Sequence, residues 1–212
     1  MAHHTFLRQL GIFTAPGFLS PDECAEWRAR AATSRSHAAH VYRNNEVLLD
    51  EEQRRTLEVT VEDAIHDATR DRILGLRQEL ARHFAADLEG LDHLRCMKYR
   101  EGDFFKLHAD VPRPEDIDEA SRFAGVLRRR VSIVTFLNDP AHASEPYAGG
   151  ELTLFGLMQG AAADYGFPVD AETGLMVAFP AGMLHEVSPV LSGSRFTLVT
   201  WFLAKDPRES SV

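Results

Sequence analysis

The sequence has few cysteines and no long apolar run. Its 212 residues include only two cysteines, Cys24 and Cys96, and their spacing fits neither a metal-binding cluster nor a disulfide framework. We therefore expect two reduced, mostly buried thiols. No stretch approaches the roughly 20 apolar residues that span a bilayer, and the polar N-terminus does not resemble a secretory signal. These features predict a cytoplasmic protein with no membrane partner.

Positive charge is also scarce. The net charge is −9, with 23 lysines and arginines against 32 aspartates and glutamates. A polyanionic partner would require clustered basic residues that neutralise its phosphates, and the short run Arg128-Arg129-Arg130 is typical of a solvated loop. The sequence therefore predicts no nucleic-acid partner. The content of 44% hydrophobic and 26% charged residues is ordinary for a globular domain.

The front part of the chain is rich in predicted helices. Ser20-Pro21-Asp22-Glu23 is a capping box, which predicts a helix that ends near Ala32. A short strand at Phe18-Leu19 is expected before it. Further helices are predicted over residues 50–58 and over residues 63–84, where apolar residues recur at helical spacing.

The back part of the chain has the pattern of a β domain. Short runs rich in β-branched and aromatic residues alternate with glycine, proline and aspartate, which is typical of a sandwich or barrel. The predicted strands cover residues 94–100, 104–108, 131–137, 151–155, 175–179, 184–190 and 195–203. The long charged segment 111–130 is predicted as a loop or lid. We expect one domain over residues 1–212, with a helical buttress at about 18–88 and a β core at about 94–204.

The most informative local feature is the pair His108 and Asp110. In an extended strand, residues two apart point to the same face, so this imidazole and this carboxylate can bind one metal ion. Together with a distant histidine, the pair has the form of the two-histidine, one-carboxylate triad that binds Fe(II) and leaves coordination positions open. His185 is the candidate third ligand, because it lies at a predicted strand after a proline and glycine turn.

Arg195 opens an apolar predicted strand ten residues after His185. Pro189 and the turn Ser192-Gly193-Ser194 predict a hairpin, which would place Arg195 beside the strand of His185. A buried arginine is costly without a partner. Arg195 therefore either lies at a solvated strand end or forms a bidentate pair with a small-molecule carboxylate, and the nearby metal residues favour the second interpretation.

Several motifs follow one another in a recognisable order. They are Tyr99 with His108-Ala109-Asp110, Thr135-Phe136-Leu137-Asn138-Asp139, Tyr147-Ala148-Gly149-Gly150-Glu151, Pro180 with His185-Glu186-Val187, and Gly193-Ser194-Arg195. This order resembles the prolyl 4-hydroxylase-like branch of the Fe(II)/2-oxoglutarate-dependent dioxygenases over residues 94–203. The segment Phe18 to Cys24 is also similar to the entry strand and helix of that branch.

The resemblance implies a fold and a set of site residues. The fold is mainly β, a double-stranded β-helix (jelly roll) with N-terminal supporting helices. The implied iron ligands are His108, Asp110 and His185, and the implied partners of the distal 2-oxoglutarate carboxylate are Arg195 and Tyr99. Thr135 matches a position that often adds a hydroxyl there, although a strand-filling role is equally open.

The resemblance also implies the reaction. An enzyme of this branch hydroxylates a C–H bond with Fe(II), 2-oxoglutarate and dioxygen, and ascorbate is a further candidate cofactor. Related halogenases carry glycine or alanine in place of the aspartate, so Asp110 favours hydroxylation. The expected substrate is an amino acid, a peptidyl residue such as proline, a protein or a small amino-acid-derived metabolite.

Substrate contacts and two other function classes stay open at this point. Arg43, Asn44, Asn45 and Arg122 are the candidate substrate-binding residues, although a polar turn is as consistent with the first three. A nucleic-acid demethylase would share the triad, but the acidic composition disfavours it. A non-catalytic metal-binding jelly roll would not need a carboxylate-binding arginine. The sequence does not indicate an oligomeric state.

Overall fold

The computed structural model describes residues 2–43, 46–112, 124–162 and 164–205. The helices are α1 (Ala2–Gln9), α2 (Pro21–Thr33), α3 (Ala64–Gly75), α4 (Arg77–His83) and α5 (Ala124–Leu127), with a 3-10 turn at Gly160–Ala162. The strands of the first half are β1 (Phe13–Ala15), β2 (Ser36–Ala38), β3 (Val41–Arg43), β4 (Glu46–Leu48), β5 (Arg54–Arg55), β6 (Leu57–Val59), β7 (Leu88–Leu91), β8 (Arg95–Arg100) and β9 (Phe104–His108). The remaining strands are β10 (Arg129–Phe136), β11 (Ala148–Gly149), β12 (Leu152–Leu154), β13 (Phe167–Pro168), β14 (Met176–Pro180), β15 (His185–Val187), β16 (Val190–Ser192) and β17 (Ser194–Ala204).

The strands form two main antiparallel sheets that pack against each other. The larger sheet has the order β1-β14-β10-β17-β8-β6-β2, with β7 also paired to β17, and the smaller sheet has the order β13-β12-β15-β9-β5. Two short ribbons, β11-β16 and β3-β4, complete the arrangement. The predicted mainly β jelly roll with N-terminal helices is confirmed.

The larger sheet separates two cores, because successive side chains on a strand point to opposite faces. On its outer face, Ile133, Leu198 and Phe202 form one apolar cluster with helix residues such as Trp27 and Ile73. The inner face forms a second cluster with the smaller sheet, which includes Met97, Val134, Phe136, Leu152 and Val187. The site described below lies on this inner side.

Helix α2 forms where the capping box predicts it. The Ser20 hydroxyl accepts a hydrogen bond from the Glu23 N–H at 3.2 Å, and the Glu23 carboxylate accepts one from the Ser20 N–H at 2.8 Å. Pro21 takes the first helical position, where no intrahelical N–H bond is lost. Trp27 is fully buried and donates to the Thr69 hydroxyl at 3.0 Å, which ties α2 to α3.

Two predictions for the front part are wrong. The entry strand is β1 rather than residues 18–19, and it pairs with β14. Residues 50–58 are not helical: the Asp50 carboxylate accepts backbone N–H bonds from Glu52 and Gln53 in a turn, and the chain then enters β5 and β6. Pairing of these strands with β9 and β8 satisfies backbone groups that a short isolated helix would leave to water.

Other predicted elements occur with changed boundaries. The predicted helix 63–84 is two helices that meet at Leu76. The predicted strand 184–190 is interrupted at Pro189, which has no N–H to donate to a ladder. Part of the predicted lid, residues 113–123, lies outside the described residues, and residues 124–127 form α5.

The prediction that the run Arg128-Arg129-Arg130 is a solvated loop is also wrong for its middle residue. Arg129 is 9% exposed, and its guanidinium donates to the Asp92 carboxylate at 2.9 and 2.6 Å. The two cysteines are buried and free, as predicted. Within the described ranges, no helix has the length and apolar character that crossing a membrane requires.

Candidate active site

Two neighbouring strands of the smaller sheet bring the two histidines together. His108 is the last residue of β9 and His185 is the first residue of β15, and the two are direct partners in the antiparallel register. Their ring centroids are 4.1 Å apart. Asp110 lies just beyond the end of β9 rather than within a strand, and its N–H donates to the Ala181 carbonyl at 2.9 Å. The carboxylate is therefore anchored next to both rings.

The three side chains have the spacing of ligands around one ion. His108 Nε2 lies 3.7 Å from Asp110 Oδ1, and His185 Nε2 lies 3.6 Å from Asp110 Oδ2. These separations are too long for hydrogen bonds. Ligand atoms bound at about 2.1 Å to a common ion can lie up to about 4.2 Å apart. Both measured separations are below this limit, and potential ligand atoms of all three residues lie within 4.8 Å of one another, so the three residues form a candidate metal-binding cluster.

Hydrogen bonds behind the cluster orient each ligand. Nδ1 of His108 lies 2.8 Å from the Lys106 carbonyl, and Nδ1 of His185 lies 2.9 Å from the Met183 carbonyl. A carbonyl can only accept, so each Nδ1 carries the proton and each Nε2 presents a lone pair to the cluster. Ser132 donates to Asp110 Oδ2 at 2.6 Å.

The local electrostatics favour the protonation states that a divalent cation requires. Burial lowers the pKa of His108, and the neighbouring His185 lowers it further. Burial acts to raise the pKa of Asp110, but the two imidazoles and the Ser132 hydroxyl hold it below its usual value. A neutral His108 imidazole and an ionised Asp110 carboxylate suit Fe(II).

Arg195 is buried without an anionic partner. It is 1% exposed on β17, directly opposite Tyr99 on β8. Its guanidinium carbon lies 5.0 Å from the Tyr99 ring centroid and 5.3 Å from that of Phe136. Within the described ranges, no carboxylate lies at ion-pair distance and its Nε has no hydrogen-bond partner. Such a buried cation is costly unless a ligand supplies the anion.

Tyr147 and Gly150 shape the space around Arg195. Tyr147 forms a side-chain hydrogen bond with Arg195; burial raises the pKa of this phenol, and Arg195 opposes the increase. Gly150 has φ +68°, and a Cβ there would lie 3.0 Å from Arg195 Cδ and 2.9 Å from a methyl group of Val190. Glycine therefore allows the arginine to pass close to the backbone.

The predicted hairpin before Arg195 does not form. Strand β16 pairs with β11, while β17 pairs with β8 and β10 in the larger sheet. Arg195 thus approaches from the sheet opposite to that of His185. Both nevertheless line one cavity of about 490 Å³, together with His108, Asp110 and Tyr99. The reason for their proximity is closure of the jelly roll rather than a local turn.

The structure does not bring Thr135 to this cavity. Thr135 pairs with Met176 and Leu198, which belong to the outer cluster, and it is not among the residues that line the cavity. The threonine found on the cavity wall is Thr197, which sequence reasoning missed. The alternation of β17 could have identified it, because residues 195, 197, 199 and 201 share a face.

Of the four candidate substrate-binding residues, the structure describes the position of Arg43 alone. Arg43 is the last residue of β3, whereas Asn44, Asn45 and Arg122 lie outside the described residues. The cavity is instead lined by Arg54, Arg95 and Arg129 in addition to Arg195. Arg54 and Arg95 were not singled out for this role by spacing or motif, because the fold brings them there from separate strands.

Comparison with known proteins agrees with this geometry. The model of the 2OG-Fe(II) oxygenase superfamily matches residues 94–203. A PKHD-type hydroxylase of Azoarcus sp. (strain BH72) is 32% identical over 87% of this chain and 74% of its own length. PKHD-type hydroxylases of Hyphomonas neptunium and Shewanella baltica are 36% and 33% identical over 48% and 49% of this chain. The chain spans only 38% and 39% of the length of these last two relatives.

Solved structures show a similar fold. A prolyl-4-hydroxylase of Pseudomonas putida superposes with a TM-score of 0.68 at 24% identity, covering 97% of this chain and 98% of that one. A prolyl hydroxylase from Trichoplax adhaerens, in complex with a hypoxia inducible factor peptide fragment, has a TM-score of 0.66 at 14% identity. That match covers 99% of this chain and 91% of the other.

Proposed function

The chain belongs to the 2OG-Fe(II) oxygenase superfamily, and from that premise we propose that His108, Asp110 and His185 hold the iron of a C–H hydroxylase. The observation that carries the proposal is the combination of this cluster with an unpaired, buried Arg195 in one cavity. A purely structural metal site would need the three-residue cluster but would not need a buried arginine without an anionic partner.

The co-substrate is 2-oxoglutarate, whose two ends require different partners. Arg195 can bind the distal carboxylate through two parallel N–H bonds, the strongest geometry available to this pair. Tyr99, directly opposite on β8, and Thr197, two residues along β17, provide hydroxyls on the same wall. Thr197 replaces Thr135 in this role.

When bound, the iron supplies the activation of dioxygen that converts 2-oxoglutarate to succinate and carbon dioxide and inserts oxygen into a substrate C–H bond. The protein residues position and protect this chemistry. Ser132 and the carbonyls of Lys106 and Met183 fix the ligand orientations. The ring of Phe105 stacks on His108 at 3.5 Å, so it limits rotation of this imidazole and excludes water from its face.

The proposed substrate is an amino acid, a peptidyl residue such as proline, or a small amino-acid-derived metabolite. Two observations support this proposal: the relatives are PKHD-type hydroxylases, and the carboxylate at position 110 is present. A nucleic-acid substrate is disfavoured by the net charge of −9. An ascorbate requirement and a cytoplasmic location stay predictions.

The test is spectroscopic and kinetic. Mixing the purified protein with Fe(II) and 2-oxoglutarate without oxygen is expected to produce a metal-to-ligand charge-transfer band, and admission of oxygen is expected to form succinate. If no such band appears with the folded protein, the enzyme assignment of these residues is wrong. Adding ascorbate to the oxygenated sample tests whether it prolongs turnover.

A further inference from the structure

Among the residues that the structure describes, four arginines and one carboxylate line the cavity. The arginines are Arg54, Arg95, Arg129 and Arg195, and the carboxylate is Asp110. Two of the arginines already have acidic partners: Arg95 Nη1 lies 3.6 Å from the Glu58 carboxylate, and Arg129 donates two hydrogen bonds to Asp92. Arg195 is assigned to 2-oxoglutarate. Arg54 remains.

Arg54 lies close to the proposed iron ligands. It is on β5, directly opposite Phe105 on β9, three residues before His108. Its guanidinium carbon lies 4.4 Å from the Phe105 ring centroid, and the same ring stacks on the imidazole of His108. The Phe105 ring therefore contacts both the Arg54 guanidinium and the imidazole of the candidate iron ligand His108.

The hydrogen-bonding capacity of Arg54 is mostly unused. One Nη donates to the His40 carbonyl at 3.1 Å, and the other lies 3.9 Å from the Met97 sulfur, a weak acceptor. Its Nε is buried without a partner in the described part of the chain, where no carboxylate lies at ion-pair distance either. Burial lowers the pKa of this guanidinium, as expected for a cation short of neighbouring anions.

A count of charges indicates what is missing. With Fe(II) and 2-oxoglutarate in the cavity, the unpaired positive charges are those of the metal, Arg54 and Arg195. The negative charges are those of Asp110 and the two carboxylates of 2-oxoglutarate. One positive charge is left over, and Arg54, a half-buried residue whose Nε is fully buried, has no anion to compensate it among the described residues. A single carboxylate on the substrate would balance it.

We propose that the substrate presents a carboxylate and that Arg54 binds it, an inference that rests on the proposed function. The planar guanidinium can bind a carboxylate bidentately, and its location would hold the substrate next to the metal centre. The carboxylate can come from a free amino acid or from a peptide. This assignment gives Arg54 and Arg195 separate anions, one from the substrate and one from 2-oxoglutarate.

The experiment compares acids with their primary amides. The probes are the free amino acids, short prolyl peptides with a C-terminal carboxylate, and the matching amides of each. Binding is measured by calorimetry with protein loaded with Mn(II) and 2-oxoglutarate, which needs no turnover. We expect at least one acid to bind at least about tenfold more tightly than its amide, because charge-assisted hydrogen bonds are strong. Whether that acid is an amino acid or a peptide identifies the source of the carboxylate.

Two substitutions at position 54 and one control test the residue. In Arg54→Gln the preference for acid over amide should disappear, while the affinity for 2-oxoglutarate stays unchanged; Arg54→Lys should keep an intermediate preference. Arg55→Gln is the matched control, because Arg55 is the next residue on β5, is exposed, and donates to the Gly102 carbonyl at 2.6 Å. It should retain the wild-type preference. Thermal unfolding checks that each variant is folded.

Distinct outcomes separate this inference from the proposed function. Equal binding of acids and amides, no binding of any acid in the panel, or a preference that survives Arg54→Gln would each overturn the inference. An Arg54→Gln variant that loses 2-oxoglutarate instead would assign Arg54 to the co-substrate and overturn it as well. Absence of the anaerobic charge-transfer band in the wild type would instead contradict the proposed function.

Discussion

Strands β10 and β17 present two faces that are equally buried but chemically opposite. On the outer face, Ile133 and Leu198 are each 1% exposed and pack into an apolar core with the helices. On the inner face, Ser132, Arg195 and Thr197 are 0–1% exposed, yet each carries polar atoms. Burial alone therefore does not distinguish the core from the site. The distinction lies in what the side chains face: Arg195 and Thr197 line the cavity and Ser132 donates to Asp110 there, whereas Ile133 and Leu198 pack against apolar core residues.

The largest expected effect concerns the inner side at the metal centre. Asp110→Ala removes the anionic ligand of the proposed iron site, so we expect loss of the charge-transfer band. Succinate formation should fall by more than about 100-fold. Loss of a residue that only supports a ligand can already reduce metal affinity about 10- to 100-fold, and loss of the ligand itself should cost more. Retained turnover would show that another carboxylate binds the metal. Circular dichroism establishes whether the variant is folded.

A second large effect is expected from Arg195→Leu. Removing one partner of a buried charge pair costs about 2–5 kcal/mol, so the Kd for 2-oxoglutarate should rise by at least about 30-fold. The apoprotein should not lose comparable stability, because the arginine has no anionic partner among the described residues. Titration of the charge-transfer band with 2-oxoglutarate measures the change. An unchanged Kd would assign the distal carboxylate to another residue.

Leu198→Ala tests the outer face at a position adjacent to Thr197. Truncation of a fully buried leucine costs about 2–5 kcal/mol of unfolding free energy, which denaturant titration would measure. The folded fraction should bind 2-oxoglutarate with wild-type affinity. A large change in that affinity would mean that the two faces are energetically coupled rather than independent.

In contrast to Leu198→Ala, Thr197→Val should weaken 2-oxoglutarate binding and leave the stability of the fold nearly unchanged. Loss of one hydroxyl from the cavity wall removes a hydrogen bond of about 0.5–1.5 kcal/mol. We therefore expect the Kd for 2-oxoglutarate to rise severalfold with little change in stability. Wild-type affinity would exclude Thr197 from co-substrate binding.

Thr135→Val should have the smallest effect and serves as the control for Thr197→Val. The Thr135 hydroxyl is buried on the outer side without a partner in the described ranges, and replacing an unsatisfied hydroxyl by a methyl group is neutral or stabilising. We expect unchanged 2-oxoglutarate affinity and a melting temperature at or above that of the wild type. A weaker affinity would place Thr135 in the site after all.

Local sequence signals predicted the elements whose stabilising interactions are themselves local. The capping box of Ser20 and Glu23 located α2, since its hydrogen bonds join residues three apart. Residues 50–58 were predicted incorrectly because their partners, β8 and β9, lie some 40 or more residues away. Tertiary pairing overrides weak helix propensity in such cases.

The same distinction applies within the site. His108, Asp110, His185, Tyr99 and Arg195 could be singled out from motif order. Ser132, Thr197 and Arg54 were missed because Ser and Thr are common in strands and the pair Arg54-Arg55 matches no motif. Of these, only Thr197 had a usable signal, its period-two spacing from Arg195.

The sequence by itself determined the family, the mainly β fold and the ligand types, because motif order and residue chemistry need no coordinates. Only the tertiary structure decided that Arg195 approaches from the sheet opposite His185, that Thr135 faces outward, and that Arg54 and Arg195 are the arginines of the described cavity lining without an acidic partner. Those facts depend on register and on closure of two sheets around one cavity. Both bring together residues whose separation along the chain carries no information about their distance.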